Sequence, residues 1–428
     1  MDRLPGFRDF YPEPLPKPDV WSADARQFLF ERWRETARRY AFREYDGPPL
    51  EPLELYTLKS GQEIVDQLYH FTDKGDRHVA LRPEMTPTLA RMIAAGERAY
   101  KKPVKWFAIP QLFRYERQQK GRLREHFQFN ADIIGEDDLA ADAELIALLI
   151  DSLRSVGLTS RDFVVRLSSR NFWRDWFEKN CGDAGKEYPF YQAIDKLERE
   201  GPDKTLETLA ALDITQGRQI LELVSAGQPT AELQTVLDNL QSRGLGEFVV
   251  VDYHVIRGLA YYTGVVFEAF DKRGEFRAIA GGGRYNNLIK LISGGKLHLP
   301  ALGFGMGDVV LLELLKERGL LPKFGPEPGV FFLIEDEALR ADSLRWIQQV
   351  RQWGFAVDYP LVAAKPDKQF QRARDNNARI ALSLRKTADG GMECRCLDLA
   401  SRAESFFSPT PKEELQQKLR AAFTRTDQ

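Results

Sequence analysis

The sequence predicts an α+β fold spread over several domains, and three observations carry that expectation. Strand-like and helical pieces alternate from about residue 50 to 170, and strand pattern returns after 246. Between them, residues 171–245 are charged, rich in Leu and Ala at three- and four-residue spacing, and poor in strand signal. Finally, three prolines and two glycines crowd the nine residues 321–329, ahead of a compact strand–helix alternation. A length of 428 residues suits two or three such units. The expected division is a core built from 1–170 and 246–320, a helical insertion at 171–245, a linker at 321–329 and a final domain at 330–428.

Each element has its own reason. In 21–41, Trp21, Ala25, Phe28, Leu29, Trp33 and Ala37 fall on one stripe, so a helix is expected, capped by Ser22 or Asp24. Strands are expected at His78–Leu81, Val104–Ile109, Leu112–Tyr115 and Phe127–Ile134. A helix with an acidic first turn follows at 137–156. After the insertion, strand pattern covers Phe248–Val255 and Gly264–Phe270. The turn Asp271–Gly274 then leads to a returning strand at Phe276–Ala280. Past the linker, strands at 330–334, 355–359 and 379–384 alternate with helices at 337–353 and 366–377. A hairpin near Gly390 and a helix at 411–424 close the chain.

Composition narrows the function. Lys plus Arg (61) nearly balance Asp plus Glu (63), so a basic surface must be confined to one face if a nucleic acid is bound. Three cysteines leave no room for a disulfide framework, and no His or Cys cluster accompanies Cys394 and Cys396, so no metal site is expected. The N-terminus lacks a signal-peptide core and no run approaches 18 apolar residues, which points to a cytoplasmic protein with no membrane partner.

Six segments carry chemistry. In Leu81-Arg-Pro-Glu-Met-Thr86, Glu84 and Thr86 offer a carboxylate and a hydroxyl for an ammonium group, although Thr86 and Pro87 also read as a plain helix start. From Arg114 to Arg124, five basic side chains sit within eleven positions around Gly121. An arginine held on a sheet clamps phosphate bidentately. Gln128, Asn130 and Asp132 alternate with Phe129, Ala131 and Ile133, so three polar side chains share one strand face, as a polar pocket requires. Arg257-Gly-Leu-Ala-Tyr-Tyr-Thr-Gly264 sets a cation beside two phenols. Gly281–Gly283, before Arg284 and Tyr285, and the alternating glycines of Gly303-Phe-Gly-Met-Gly307 let a flat ligand approach the backbone. Neither is a dinucleotide fingerprint or a phosphate loop.

Taken in order, LPGFRD, LRPEMT, FRYERQQKGRLREHFQ, RGLAYYTGVVFE, GGGRY and GFGMG resemble the class II aminoacyl-tRNA synthetases, specifically the histidyl-tRNA synthetase family, over nearly the whole chain. The resemblance implies an antiparallel-sheet catalytic domain with a helical insertion, a homodimer and a C-terminal α/β anticodon-binding domain. It implies a ligase that makes histidyl-adenylate from L-histidine and ATP, with Mg2+ accompanying the ATP, and passes histidine to tRNA(His). By carry-over, Glu84, Thr86 and Gln128 hold the histidine amino group, and Asp132 and Tyr262 read the imidazole nitrogens. Tyr261, Gly282 and Tyr285 line the pocket. Arg114 binds the α-phosphate and Arg257 is the catalytic arginine. Glu116, Arg122 and Gly305 complete the ATP site. This chain departs from the pattern at Asp132 (usually Glu), Ala260 (usually Asp), Gln118 (usually Pro) and Val310, where the family usually has an arginine that packs on adenine. The alternative is a non-catalytic, histidine-sensing regulatory subunit of ATP phosphoribosyltransferase.

Overall fold

The computed structural model describes residues 2–423, except 19, 61, 116–122, 257–261, 326–328 and 409–411. The chain forms two compact units, one of residues 1–11 and 17–322, the other of 12–16 and 323–428.

The first unit is organised by a nine-stranded sheet. Its strands are β1 (Arg43–Glu44), β2 (Val104–Ala108), β3 (Gln111–Phe113), β4 (Glu125–Ile134), β5 (Phe163–Ser169), β6 (Val249–Val251), β7 (Val265–Asp271), β8 (Ala280–Arg284) and β9 (Ala301–Gly307). The order is β6-β5-β7-β8-β9-β4-β2-β1, with β3 also paired to β4. Only the outermost pairs, β1 with β2 and β5 with β6, are parallel. An antiparallel sheet can bury one face and leave the other for solvent or ligand, and this one does. Phe129, Ala131 and Ile133 point toward the helices Ala23–Arg39 and Ala140–Arg154, where Trp33 stacks on Phe129 at 5.6 Å. Ser22 caps the first helix, its Oγ accepting from the Ala25 N–H at 3.1 Å.

Two expected strands differ from those observed. Phe248–Val255 shrinks to β6, because the chain turns at Asp252, whose carboxylate accepts from the His254 N–H at 3.0 Å and whose carbonyl accepts from the Val255 N–H at 3.2 Å. The return strand is Ala280–Arg284 rather than 276–280, so the three glycines lie in its middle instead of at its end. Glycine has little intrinsic preference for a strand. Here β7 and β9 supply main-chain partners on both sides, and pairing overrides propensity.

Residues 170–242 form five helices: Arg170–Asn180, Ala184–Glu200, Pro202–Ala211, Gly217–Ala226 and Ala231–Ser242. Their core is aromatic, with Trp176 stacked on Phe190 at 5.4 Å and 4°. The second unit holds a five-stranded sheet, in the order Val357–Asp358, Val330–Leu333, Ile380–Lys386, Met392–Asp398, Glu404–Phe407. The first three strands are mutually parallel and the last two antiparallel. In its helix Pro366–Asp375, Gln369 is buried. Its amide brackets Ile334, accepting from the Ile334 N–H and donating to the Ile334 carbonyl, each at 2.8 Å, so this glutamine holds the fold together.

Candidate active site

The polar face of β4 is built against glycine. In register, Asp132 lies opposite Gly303, Asn130 opposite Gly305 and Gln128 opposite Gly307, while Gly281 and Gly283 of β8 pair with Gly305 and Gly303. Directly paired residues share a face. Five glycines on β8 and β9 therefore form a floor beside three polar side chains. The absent side chains have specific replacements. A Cβ on Gly303 would overlap the Asp132 carboxylate, one on Gly305 would meet the Gln128 amide at 2.6–2.8 Å, and one on Gly283 would lie 3.0 Å from the Tyr262 ring. Asp132 and Tyr262 thus lie over adjacent, paired glycines. Gly282 points the other way: its Cβ would strike Phe304 on the helix-covered face, and the floor is opened by Gly281 and Gly283 instead.

Asp132 is 3% exposed and accepts a hydrogen bond from the Tyr285 hydroxyl at 2.5 Å. Burial pushes its carboxyl up to about 7, against the opposing pull of Tyr285. An acid whose folded-state value is raised costs stability as it ionises, so its contribution is lost as pH rises through about 7. A ligand donor that needs the carboxylate must counter that cost.

The Leu81–Thr86 segment is tied to the motif around Arg114 by three hydrogen bonds. The Phe113 N–H donates to the Arg82 carbonyl at 3.0 Å, Arg82 Nε to the Gln111 carbonyl at 3.1 Å, and Arg114 Nε to the Pro83 carbonyl at 3.1 Å. Glu84 and Thr86 are thereby brought next to Arg114. Thr86 is the first residue of the helix Thr86–Gly96, which starts without any side-chain cap. The plain expectation of a helix start at Thr86 and Pro87 holds, but Thr86 is not its N-cap and its hydroxyl is not spent on capping. Arg114, Gln128 and Gly305 line one cavity of about 320 Å³, which also takes in His126, Arg277 and Val310. Glu116, Arg122, Arg257 and Tyr261 lie outside the described residues.

Two arginines have roles the motifs did not reveal. Arg284, from GGGRY, points to the helix-covered face and bonds Asp142 through Nε and Nη2, at 2.8 and 2.5 Å. Arg8, from LPGFRD, is buried between Glu125 at the start of β4 and Asp308, the first residue of the helix Asp308–Glu317, at 2.6 and 2.9 Å. Asp308 also accepts from the Phe127 N–H at 3.0 Å. The N-terminal segment therefore pins together the ends of the two strands that make the pocket. Nothing in local spacing announces a partner 300 residues away.

Gly303→Ala tests the floor. The added methyl must displace the Asp132 carboxylate, so kcat/KM for a substrate that reaches Asp132 is expected to fall roughly a hundredfold, about 2.7 kcal/mol. A variant with unchanged kcat/KM would mean that Asp132 does not touch the substrate.

Among the described residues no group of three or more potential metal ligands occurs, and no helix is long and apolar enough to cross a membrane. A family model described as Histidyl-tRNA synthetase matches residues 18–307. The chain is similar to a protein named Histidine--tRNA ligase from Opitutus terrae, 44% identical over 442 residues, which cover 98% of each. In fold it resembles the histidyl-tRNA synthetase from Nostoc sp. PCC 7120, with a TM-score of 0.75 over 96% of this chain and 97% of that one, at 23% identity. It also resembles an ATP phosphoribosyltransferase regulatory subunit/histidyl-tRNA synthetase from Bacillus halodurans C, with a TM-score of 0.71 over 90% and 98%, at 22% identity.

Proposed function

Because the chain belongs to the histidyl-tRNA synthetase family, we propose that the glycine-floored pocket is where it activates histidine. The protein is a ligase that charges tRNA with histidine at the expense of ATP. In the first step a histidine carboxylate oxygen attacks the α-phosphorus, the bond to the bridging oxygen breaks, and pyrophosphate leaves. In the second, the terminal tRNA hydroxyl attacks the activated carbonyl and AMP leaves. The attacking carboxylate is already ionised near pH 7, so the first step needs no general base. It needs positioning and charge stabilisation.

The single observation that carries this reading is Asp132, a buried carboxyl bonded by Tyr285 on the same face of β4 as Gln128, which lines the cavity with Arg114. A polar pair of this kind accepts the N–H of an imidazole and rejects apolar side chains of similar size. Glu84, Thr86 and Gln128 are assigned to the amino group. Arg114 and Arg257 are assigned to the α-phosphate, with Glu116, Arg122 and Gly305 around the nucleotide. Tyr261 joins the pocket wall. The described cavity lining carries cations and no carboxylate, so no residue of it is assigned to Mg2+, which would accompany the ATP phosphates. The regulatory-subunit alternative is disfavoured by Arg114 in that cavity and by full-length relatives named as ligases.

The test is histidine-dependent exchange of pyrophosphate into ATP, with Arg257→Ala alongside. Exchange that requires histidine and collapses in the variant supports the assignment. Histidine binding without exchange by the natural protein overturns it.

The raised Asp132 carboxyl gives a pH prediction. Accepting from the imidazole requires the carboxylate, so KM for histidine is expected to rise as pH falls below about 7. The substrate imidazole titrates nearby, and Asp132→Asn separates the two, because it should flatten the part of the profile due to the protein. An unaltered profile in that variant would remove Asp132 from the pocket's proton balance.

The second unit is assigned to the anticodon of tRNA(His), and the functional particle to a homodimer. Leu50, Leu58 and Phe71, on or beside the small sheet formed by Leu50–Pro52, His70–Thr72 and His78–Leu81, are exposed apolar side chains suited to a subunit contact. A solution mass near twice 49.0 kDa is expected by light scattering, and a mass of 49.0 kDa would sink the dimer.

A further inference from the structure

We propose that Arg277 is the residue that grips the adenine base of ATP. The inference rests on the ATP-dependent reading above and adds to it a side chain that none of the recognised motifs contains. Arg277 lies in the link between the turn after β7 and the start of β8, where it is exposed to solvent. It lines the same cavity as Arg114, Gly305 and Val310.

The layout of the sheet decides which end of the nucleotide it meets. Arg114 follows β3, which pairs with the start of β4. Arg277 precedes β8, two strands beyond β4 in the order β4-β9-β8. The two guanidiniums therefore approach the cavity from strands three spacings apart, about 14 Å at ordinary strand separation. Arg114 is anchored through Pro83 to the segment that carries Glu84 and Thr86. The reacting phosphate must lie at that end, because the histidine carboxylate has to reach it. The remainder of the nucleotide then extends across Gly305 and Gly281 toward β8, and the group that arrives there is the flat, uncharged base.

The far end suits a base better than a phosphate. Val309 and Val310, at the start of the helix Asp308–Glu317, present apolar surface to the cavity. Gly307, which lines the cavity with nothing within 4 Å of where a Cβ would be, leaves room for a ring to lie close to the backbone. A planar guanidinium over an aromatic ring adds a stacking and cation–π attraction that a lysine reproduces poorly. Val310 offers no cation and no planar group, and the guanidinium present at this end of the cavity lining is that of Arg277.

The test uses the full-length enzyme in pyrophosphate exchange with Arg277→Ala and Arg277→Lys. Arg277 is exposed, and circular dichroism of both variants should match the parent. KM for ATP is expected to rise ten- to a hundredfold in both, with KM for histidine within twofold of the parent. Adenosine, which has the base without the phosphates, should lose its competition against ATP in both variants, while tripolyphosphate should compete as before. Adding Val310→Arg to the alanine variant should recover most of the affinity for ATP. An unchanged KM for ATP in Arg277→Ala overturns the inference. Weakened tripolyphosphate competition with adenosine unaffected overturns it too, since Arg277 would then be a phosphate ligand. If the parent itself shows no histidine-dependent exchange, the proposed function fails first, and the two failures are told apart.

Discussion

Asp132→Ala is expected to lower kcat/KM for histidine about a thousandfold, roughly 4 kcal/mol, while leaving the melting temperature within a few degrees of the parent. The size of the loss follows from burial. At 3% exposure the site has no water to replace the missing acceptor, and an imidazole N–H brought there would be left unpaired. The small stability effect follows from the same burial. A carboxyl pushed up to about 7 is a group the fold tolerates at some cost, and removing it offsets the lost partner of the Tyr285 hydroxyl. Initial-rate kinetics and thermal melts on one preparation check both halves. A large fall in melting temperature would turn the kinetic loss into a folding defect and remove the argument for recognition.

Arg8→Met is expected to behave in the opposite way. It leaves Glu125 and Asp308, each no more than 1% exposed, facing one another without their cation. Burial already pushes the Asp308 carboxyl up even with Arg8 in place. Breaking a buried pair from one side costs about 3–5 kcal/mol, which corresponds to a fall of roughly 10 °C in a unit of this size. The deficit should be smaller at pH 5 than at pH 7.5. Two unpaired carboxylates are easier to bury protonated, so stability is lost as pH rises. Glu125→Gln with Asp308→Asn in the same chain should restore much of the loss. Failure of that rescue would mean that packing against Phe10 and Trp21, whose rings lie 5.0 and 4.6 Å from the Arg8 guanidinium, matters more than charge.

Much of this was readable in the amino acids, and the unreadable parts have a common cause. The helix behind Ser22 and the polar face of Gln128, Asn130 and Asp132 are local patterns, and local patterns survive folding. Glu84, Thr86 and Arg114 were legible as motifs, and the structure ties Arg114 to Pro83, the residue before Glu84. What local pattern does not encode is register. The direction of Gly282 depends on which residues of β7 and β9 it faces, and one step along the strand reverses it. The place of β8 was misjudged for the same reason, because glycine-rich sequence becomes strand only when neighbours on both sides supply the hydrogen bonds. The strand Glu404–Phe407 was missed because it is a short edge whose partner alone defines it. Arg8, Arg284 and Arg277 had no signal beyond being arginine; their partners and surroundings come from distant stretches of chain.

The glycine floor has a consequence for altering what this pocket accepts. Gly303 lies under the Asp132 carboxylate and Gly305 under the Gln128 amide, while Gly283 is closed by the Val265 carbonyl and the Val266 side chain, so none of these three can be enlarged alone; Gly307, with nothing within 4 Å of a Cβ, is open. Gly303 and Asp132 behave as one joint site with two letters: a methyl at the first demands a shorter side chain at the second. The same holds for Gly305 with Gln128, whereas Gly283 is closed by main chain as well and has no such partner. Libraries that vary single positions will find these sites closed, whereas libraries that vary the two pairs together sample the shapes the sheet can hold. Divergence within the pocket should likewise proceed by coupled replacements, with the intermediate step the least fit of the three states.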